Sequence, residues 1–435
     1  MLLAIALSIA LHEIGHLLPA KKFGVRVPQY MVGFGPTMWS RTKGETEYGV
    51  KAIPLGGYIR MIGMYPPKPG QADGTMRTAS TGRFSQLADE ARAMSFEEIR
   101  PGDEGRMFYQ LPVRKKIVIM LGGPMMNLLI ALVVFTGLFT LHGITVTTPT
   151  LATVSECVDF TRADQQAAAE CTDDMQRSPA NEAGLLPGDT ITAVDGRAVS
   201  TWDEVRGAIR ANLDEPLTLS VRRDGQTQEL SADPIVLDMP RLDDRGRPVT
   251  DMKGDYVTER VGFLGASPTA EVQQQPVTAV PGLFGGMVRD TFALVLKIPE
   301  KMVGVFHAAF GGADRDPNGP MSVVGVGRVA GEVTSSDAFG DTSDKAVMLV
   351  GLVGSLNIML FAFNMLPLLP LDGGHVAGAL WEGLKRSVAR VRGRPDPGPV
   401  DVAKALPLAY GVALIFIAMT VLLMYADIVK PVRLT

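Results

Sequence analysis

MLLAIALSIALHEIGHLLPA, residues 1–20, is an apolar run that carries two histidines and a glutamate near its middle. His12-Glu13-Ile14-Gly15-His16 fits the pattern H-E-x-x-H. On a helix the two histidines stand one turn apart on one face. Two imidazoles so placed can share a zinc ion, and the glutamate beside the first can take a proton from an attacking water. The pattern also arises by chance on soluble surface helices. Inside an apolar run these polar groups are costly, so a functional site is the default reading. The run is marginal for a membrane span, which takes about 20 apolar residues. A cleaved signal peptide is disfavoured, because there is no basic leader and His-Glu interrupts the apolar stretch.

Three further stretches are candidate spans: residues 117–141 and 346–371, both free of charge, and residues 405–425. The expectation is therefore a polytopic α-helical membrane protein with about four transmembrane helices. Lys21, Lys22 and Arg26 follow the first segment, and Arg114, Lys115 and Lys116 precede the second. Lys385, Arg386, Arg390, Arg392 and Arg394 separate the last two. Four crossings place all three clusters on one side, which is then cytoplasmic. Both termini and the long region between the second and third segments then lie outside, opposed only by Lys430 and Arg433. Residues 282–312 are apolar but interrupted by Arg289, Asp290, Lys297, Glu300 and Lys301, which predicts an amphipathic interfacial helix region.

Hydrophobic residues make up 46% of the 435-residue chain and charged residues 20%, a segregated mixture of apolar runs and ordinary soluble sequence. The net charge of −4, with no basic run interleaved with aromatics, argues against a nucleic-acid partner. Cys157 and Cys171 are the only cysteines, which excludes a CxxC zinc site. Whether they are free thiols or a short-loop disulfide depends on the compartment of the middle region.

Residues 24–110 alternate and are punctuated by glycine, as in YGVKAIPLGGYIRM, and read as a membrane-associated β region with a polar insert over 66–103. Residues 150–270 read as a small α/β module. TITAV is a strand, Asp195-Gly196 a tight hairpin turn, and Thr201-Trp202-Asp203-Glu204 a capped helix start. LTLSVRRDG and QTQELSA are further strands. This order resembles a bacterial PDZ domain, a module that holds an extended peptide at a sheet edge.

A catalytic zinc takes three protein ligands. His142 and His307 fall on the outer side, away from a site near the cytoplasmic end of the first segment. Asp372 and His375 are better placed, in NMLPLLPLDGGH at residues 364–375. Two prolines and a glycine pair break the helix there, and broken backbone at membrane depth is tolerated where protein or a water-filled cavity receives it.

HEIGH in a first membrane segment, a central PDZ-like module and NMLPLLPLDGG in a late segment together resemble the site-2 protease family of zinc intramembrane proteases. GFGP at 33–36, Gly56-Gly57-Tyr58 and GGPMMN at 122–127 resemble it too. The likeness spans essentially the whole chain and is nearest to the bacterial branch with one PDZ domain, including actinobacterial members, that cleaves anti-sigma factors. The resemblance implies one zinc ion per chain on His12, His16 and Asp372, with Glu13 as catalytic base and His375 a bystander. It implies that Asn364, Pro367 and Pro370, with Gly56, Gly57 and Tyr58, hold the substrate. The implied substrate is a single-pass membrane protein such as an anti-sigma factor already trimmed by another protease. The implied place is the bacterial plasma membrane, with the site near the cytoplasmic side and the extracytoplasmic PDZ-like module reading a peptide end. A membrane PDZ scaffold with a non-proteolytic metal site is the main rival, and it predicts loss of Glu13 or of a ligand, none of which is lost. A zinc transporter predicts acids and histidines strung along a path, and a serine protease a serine-histidine-aspartate set; neither is present.

Overall fold

A computed structural model describes residues 2–67, 99–158, 171, 175–213, 215–242, 248–249, 256–311, 315, 319–336 and 341–431. Most of the polar insert expected at 66–103 lies outside the described residues. The chain divides into two compact units, one formed by Met1–Leu138 with Val277–Thr435, the other by Phe139–Pro276.

The first unit begins with helix α1, Leu2–Lys22, which ends on Lys21 and Lys22 where cations suit the helix dipole. Strands β1, Gln29–Lys43, and β2, Thr46–Arg60, follow. β1 lies alongside both ends of β2, so that Tyr30 is opposite both Tyr48 and Ile59. The last residues of β2 are thereby left at the edge of this sheet. A buried pair between Arg26 and Asp103, at 2.9 Å, fastens the segment after the insert to the segment before the sheet. Helix α2, Val113–Gly137, is the charge-poor second span, started by Pro112 at its N-cap.

In the second unit, β3 (Ile144–Val154), β4 (Cys157–Val158) and β5 (Gln176–Arg177) precede the one-turn helix α3, Pro179–Glu182. Cys157 and Cys171 are joined as a disulfide. The strand expected at TITAV is β6, Thr190–Val194, and it turns through Asp195 and Gly196, both at positive φ, into β7, Arg197–Ala198. Helix α4, Trp202–Ala211, opens with a reciprocal cap between Thr201 and Glu204. β8 (Leu217–Arg223) and β9 (Gln226–Ala232) form a hairpin, and β10 (Ile235–Pro240) pairs with β11 (Thr258–Phe263). β12, Ala266–Gln273, closes the main sheet, whose order is β12-β3-β6-β8-β9. Its core packs Leu151, Ile191, Trp202, Val205 and Leu219. The unit is longer than the expected 150–270, because β12 pairs with β3 back to Ile144, opposite Gln273.

The remaining helices return to the first unit: α5 (Val280–Leu296), α6 (Ile298–Phe310), α7 (Val323–Ser335), α8 (Thr342–Asn364), α9 (Asp372–Val391) and α10 (Leu406–Val429). The expected span 346–371 stops short: α8 ends at Asn364, since Pro367 and Pro370 cannot continue it. Five helical stretches among the described residues are long and apolar enough to cross a membrane, against about four expected. The additional one is Val277–Leu296, which overlaps the region read as interfacial and where Arg289 and Asp290 are too few to spoil a span of that length.

Neighbour contacts give the helix directions. His12 meets Asn127 while His16 meets Ile119, so α1 and α2 are antiparallel. Gly351 packs near Leu138 and Gly354 against Phe135, so α8 is antiparallel to α2 and parallel to α1. On α5, Phe284 meets Phe135 and Phe292 meets Phe361, so α5 advances in the direction of α8.

Candidate metal centre

Three helices converge to build the centre. α1 crosses α2 at Gly15 and Gly122, where each glycine faces the other's carbonyl and a Cβ on either would overlap it. Small residues allow such close approach of membrane helices. One residue on, Gly123 lies beneath both imidazoles; a Cβ there would sit 2.7 Å from His12 Nε2 and closer still to His16 Nε2. The third helix is α9, which begins at Asp372. Gly373 and Gly374 let the 365–371 loop fold back on its first turn, since a Cβ at Gly374 would stand 2.6 Å from Leu369 N.

The result is a cluster of His12, His16 and Asp372. His12 Nε2 and His16 Nε2 are 3.2 Å apart, and they stand 3.4 and 3.3 Å from Asp372 Oδ2. Zinc with ligands at about 2.0–2.1 Å in a tetrahedron has ligand–ligand edges of about 3.3–3.4 Å. Protonation points the same way. His16 Nδ1 lies 2.7 Å from the carbonyl oxygen of Ile119, which can only accept, so Nδ1 carries the proton and Nε2 its lone pair. His12 Nδ1 lies 3.0 Å from the side-chain amide of buried Asn127, whose Oδ1 has no other partner. Turning that amide so that Oδ1 accepts from Nδ1–H leaves the His12 Nε2 lone pair facing inward as well. Asp372 Oδ2 is buried without a hydrogen-bond donor. Three electron pairs thus converge on one point with no proton between them, which is the chemistry of a cation site. The donor set of two imidazoles and a carboxylate fits zinc.

Glu13 stands beside the cluster. Gly57 of β2 faces it so closely that a Cβ would lie 3.1 Å from Glu13 Cγ, and the Ile59 N–H donates to its carboxylate. The edge of β2 therefore reaches the site. Gly56, at positive φ, packs under the Phe34 ring, and Tyr58 stacks with Phe34 at 6.4 Å. Asn364 ends α8 with its side-chain amide free of hydrogen-bond partners among the described residues, while Pro367 and Pro370 are exposed on the loop before Asp372. His375 stays outside the cluster.

The sequence placed Gly123 and Asn127 in the family-like GGPMMN without a role, and it gave no sign of the carbonyl of Ile119 or of a buried ion pair of Lys116 with Glu382 at 2.8 Å. Asn127 had a signal, being a polar amide in an uncharged run. The Lys116–Glu382 pair joins residues 266 apart in sequence and had none.

Residues 1–395 match the description "Peptidase family M50". The chain is 33% identical to "Zinc metalloprotease Rip1" of Mycobacterium tuberculosis, across 99% of this chain and 97% of the relative. It is 32% identical to the protein of that name in Mycolicibacterium smegmatis, with the same coverage. "Metalloprotease MmpA" of Caulobacter vibrioides is 26% identical across 90% of this chain and 87% of the relative.

Proposed function

The chain belongs to peptidase family M50 and is a zinc metallopeptidase of the site-2 type, and we propose that His12, His16 and Asp372 hold its metal while Glu13 acts as the base. The observation that carries this assignment is the convergence of two Nε2 atoms and one carboxylate oxygen at 3.2–3.4 Å. Zinc, when bound, polarises a scissile carbonyl and acidifies water.

The protein supplies the rest. A peptide bond in a membrane helix is hydrogen-bonded and dry, so the substrate must be unwound and water admitted. The end of β2 offers an edge to which an extended chain can add by backbone bonds. Gly57 keeps that edge against Glu13, which places the scissile bond beside the base. Glu13 takes the proton of the attacking water and passes it to the leaving amine. Asn364, with its amide free, donates to the substrate backbone or the developing oxyanion. Pro367 and Pro370, which lack N–H groups, keep the loop before Asp372 from competing for the same edge.

The proposed substrate is the transmembrane segment of a single-pass protein, such as an anti-sigma factor trimmed by another protease. The PDZ-like unit reads the trimmed end. A groove of about 530 Å³ between α4 and β11, lined by Arg206, Arg210, Glu259 and Arg260, is the place for it, and extended peptides enter such grooves as added strands.

Four crossings, by α1, α2, α8 and α10, with the centre at the cytoplasmic end of α1, agree with the Lys and Arg clusters of the sequence. α1 and α8 run one way and α2 the other, so the end of α2 and the start of α8 share a side. The chain between them then crosses an even number of times, and α5 with α6 enters the bundle and returns. Phe310 at the end of α6 stacks on Tyr425 near the end of α10 at 5.2 Å, in keeping with that return.

The deciding experiment compares wild type with Glu13→Gln in liposomes holding a single-pass substrate. The variant is expected to keep its zinc and to lose cleavage by at least about a hundredfold. Full cleavage by the variant overturns the assignment of Glu13.

A further inference from the structure

α9 has two unlike faces. Its inward face carries Val376, Ala379 and Glu382, all buried. Its outward face carries Leu380, Trp381 and Leu384, each more than half exposed at 57, 54 and 53%, then Val388 and Val391 at 39 and 88%. These five fall within one stripe of a helical projection. Cations border and follow the stripe: Lys385, Arg390, Arg392 and Arg394 are exposed and have no acidic partner among the described residues.

The depth of α9 follows from its inner contacts. Glu382 bonds Lys116 in the first turn of α2 at 2.8 Å, and Gly383 packs on Val113, the first residue of that helix. The middle of α9 therefore lies level with the point where α2 enters the bilayer. An exposed apolar stripe with a tryptophan, bordered by unpaired cations at that level, suits the boundary between headgroups and acyl chains. A zwitterionic surface leaves the four cations uncompensated, whereas an anionic one matches them.

We propose that α9 is an anionic-lipid-binding helix: Leu380, Trp381, Leu384, Val388 and Val391 enter the cytoplasmic leaflet, while Lys385, Arg390, Arg392 and Arg394 hold the phosphates of anionic phospholipids. The helix opens with Asp372, so the lipid contact fixes the depth of the metal centre's third arm. The inference takes from the proposed function only that the chain spans a membrane, and its test needs no catalysis.

The test uses full-length Trp39→Phe protein, whose exposed tryptophan is Trp381, with Trp202 buried in the other unit's core. It is reconstituted in mixed phosphatidylcholine–phosphatidylglycerol vesicles with brominated acyl chains on one lipid or the other. Fluorescence lost in a Trp39→Phe/Trp381→Phe control is subtracted. Stronger quenching is expected when bromine is on phosphatidylglycerol, a preference that fades at high salt. Arg390→Gln/Arg392→Gln/Arg394→Gln is expected to lower the preference by roughly fivefold per cation at most, while quenching from the mixed bilayer persists. Equal quenching from either lipid overturns the anionic selection. Absence of quenching from both overturns the lipid contact and leaves a protein partner or a second copy on this face. Loss of cleavage in Glu13→Gln, or its retention, leaves each of these outcomes unchanged.

Discussion

At the residue scale, Asn127 holds one imidazole to its task. With its side-chain amide turned, its Oδ1 accepts from His12 Nδ1–H and directs Nε2 inward, as the Ile119 carbonyl does for His16. Removal of such an outer partner weakens metal affinity by about 10- to 100-fold. Asn127→Leu is expected to lose zinc that much more readily to a chelator, with Asn127→Asp, which still accepts, much nearer wild type. Equal zinc retention in all three proteins would remove Asn127 from the site. A second residue-scale case is Asp189 in the other unit. Burial raises its pKa, but the Arg223 guanidinium at 2.7 Å and the Leu186 N–H outweigh burial and hold it below the usual carboxylate value. A carboxyl depressed on folding stabilises the fold above its unfolded pKa of about 3.9, and that contribution disappears as pH falls through the lower folded value. Thermal unfolding followed through Trp202, with Trp39→Phe and Trp381→Phe, is expected to worsen more steeply below about pH 4 in wild type than in Asp189→Asn. At pH 7 the substitution is expected to cost about 1.5–3 kcal/mol. HEIGH stood out in the sequence because a rare pattern lay in an apolar run, whereas Asp372 shared its candidacy with His375 until the family resemblance chose it. The support of each imidazole was not legible, because a backbone carbonyl and an amide 115 residues from its partner leave no local pattern.

At the scale of elements, spans, the hairpin turn at Asp195-Gly196 and the Thr201 cap were legible because period, turn chemistry and capping are local. The extension of the second unit to Gln273 was not, since β12 earns its place only by pairing with β3. What registers α9 against α2 is likewise non-local. Lys116 and Glu382 are both buried, and Glu382 also accepts from the Val400 N–H at 3.2 Å. Removal of one member of a buried pair costs about 3–5 kcal/mol, and less here because Arg386 Nη2 remains 3.2 Å from Glu382 Oε1. Lys116→Met is therefore expected to melt well below wild type and to bind zinc less tightly, because Asp372 leads the helix that shifts. Lys116→Met/Glu382→Gln removes both charges and is expected to recover much of the loss, and the cycle measures the coupling. Additive losses would show that the pair does not link the two helices.

At the scale of the whole molecule, the number of crossings is a question of parity rather than of apolarity. By length and composition α5, together with the turn before it, qualifies as a span over Val277–Leu296. By direction it cannot be the sole crossing between α2 and α8, because those helices are antiparallel and the end of one must share a side with the start of the other. α6 restores the parity by running back to Tyr425, near the end of α10. The native cysteines are joined to each other, so introduced thiols report without background. Cysteines at Ser231 in the second unit, at Ser336 after α7 and at Lys385 on α9 are then labelled in sealed inverted and right-side-out vesicles with an impermeant maleimide. Ser231→Cys and Ser336→Cys are expected to react from one side and Lys385→Cys from the other. If α5 crossed alone, Ser336→Cys would react from the side opposite Ser231→Cys and Lys385→Cys from the same side as Ser231→Cys, α8 would run opposite to α1, and Asp372 would be carried to the far end of the bilayer from His12 and His16. The cluster thus constrains the topology: Asp372, which opens α9 just beyond α8, meets the histidines of α1 only if α1 and α8 run in the same direction.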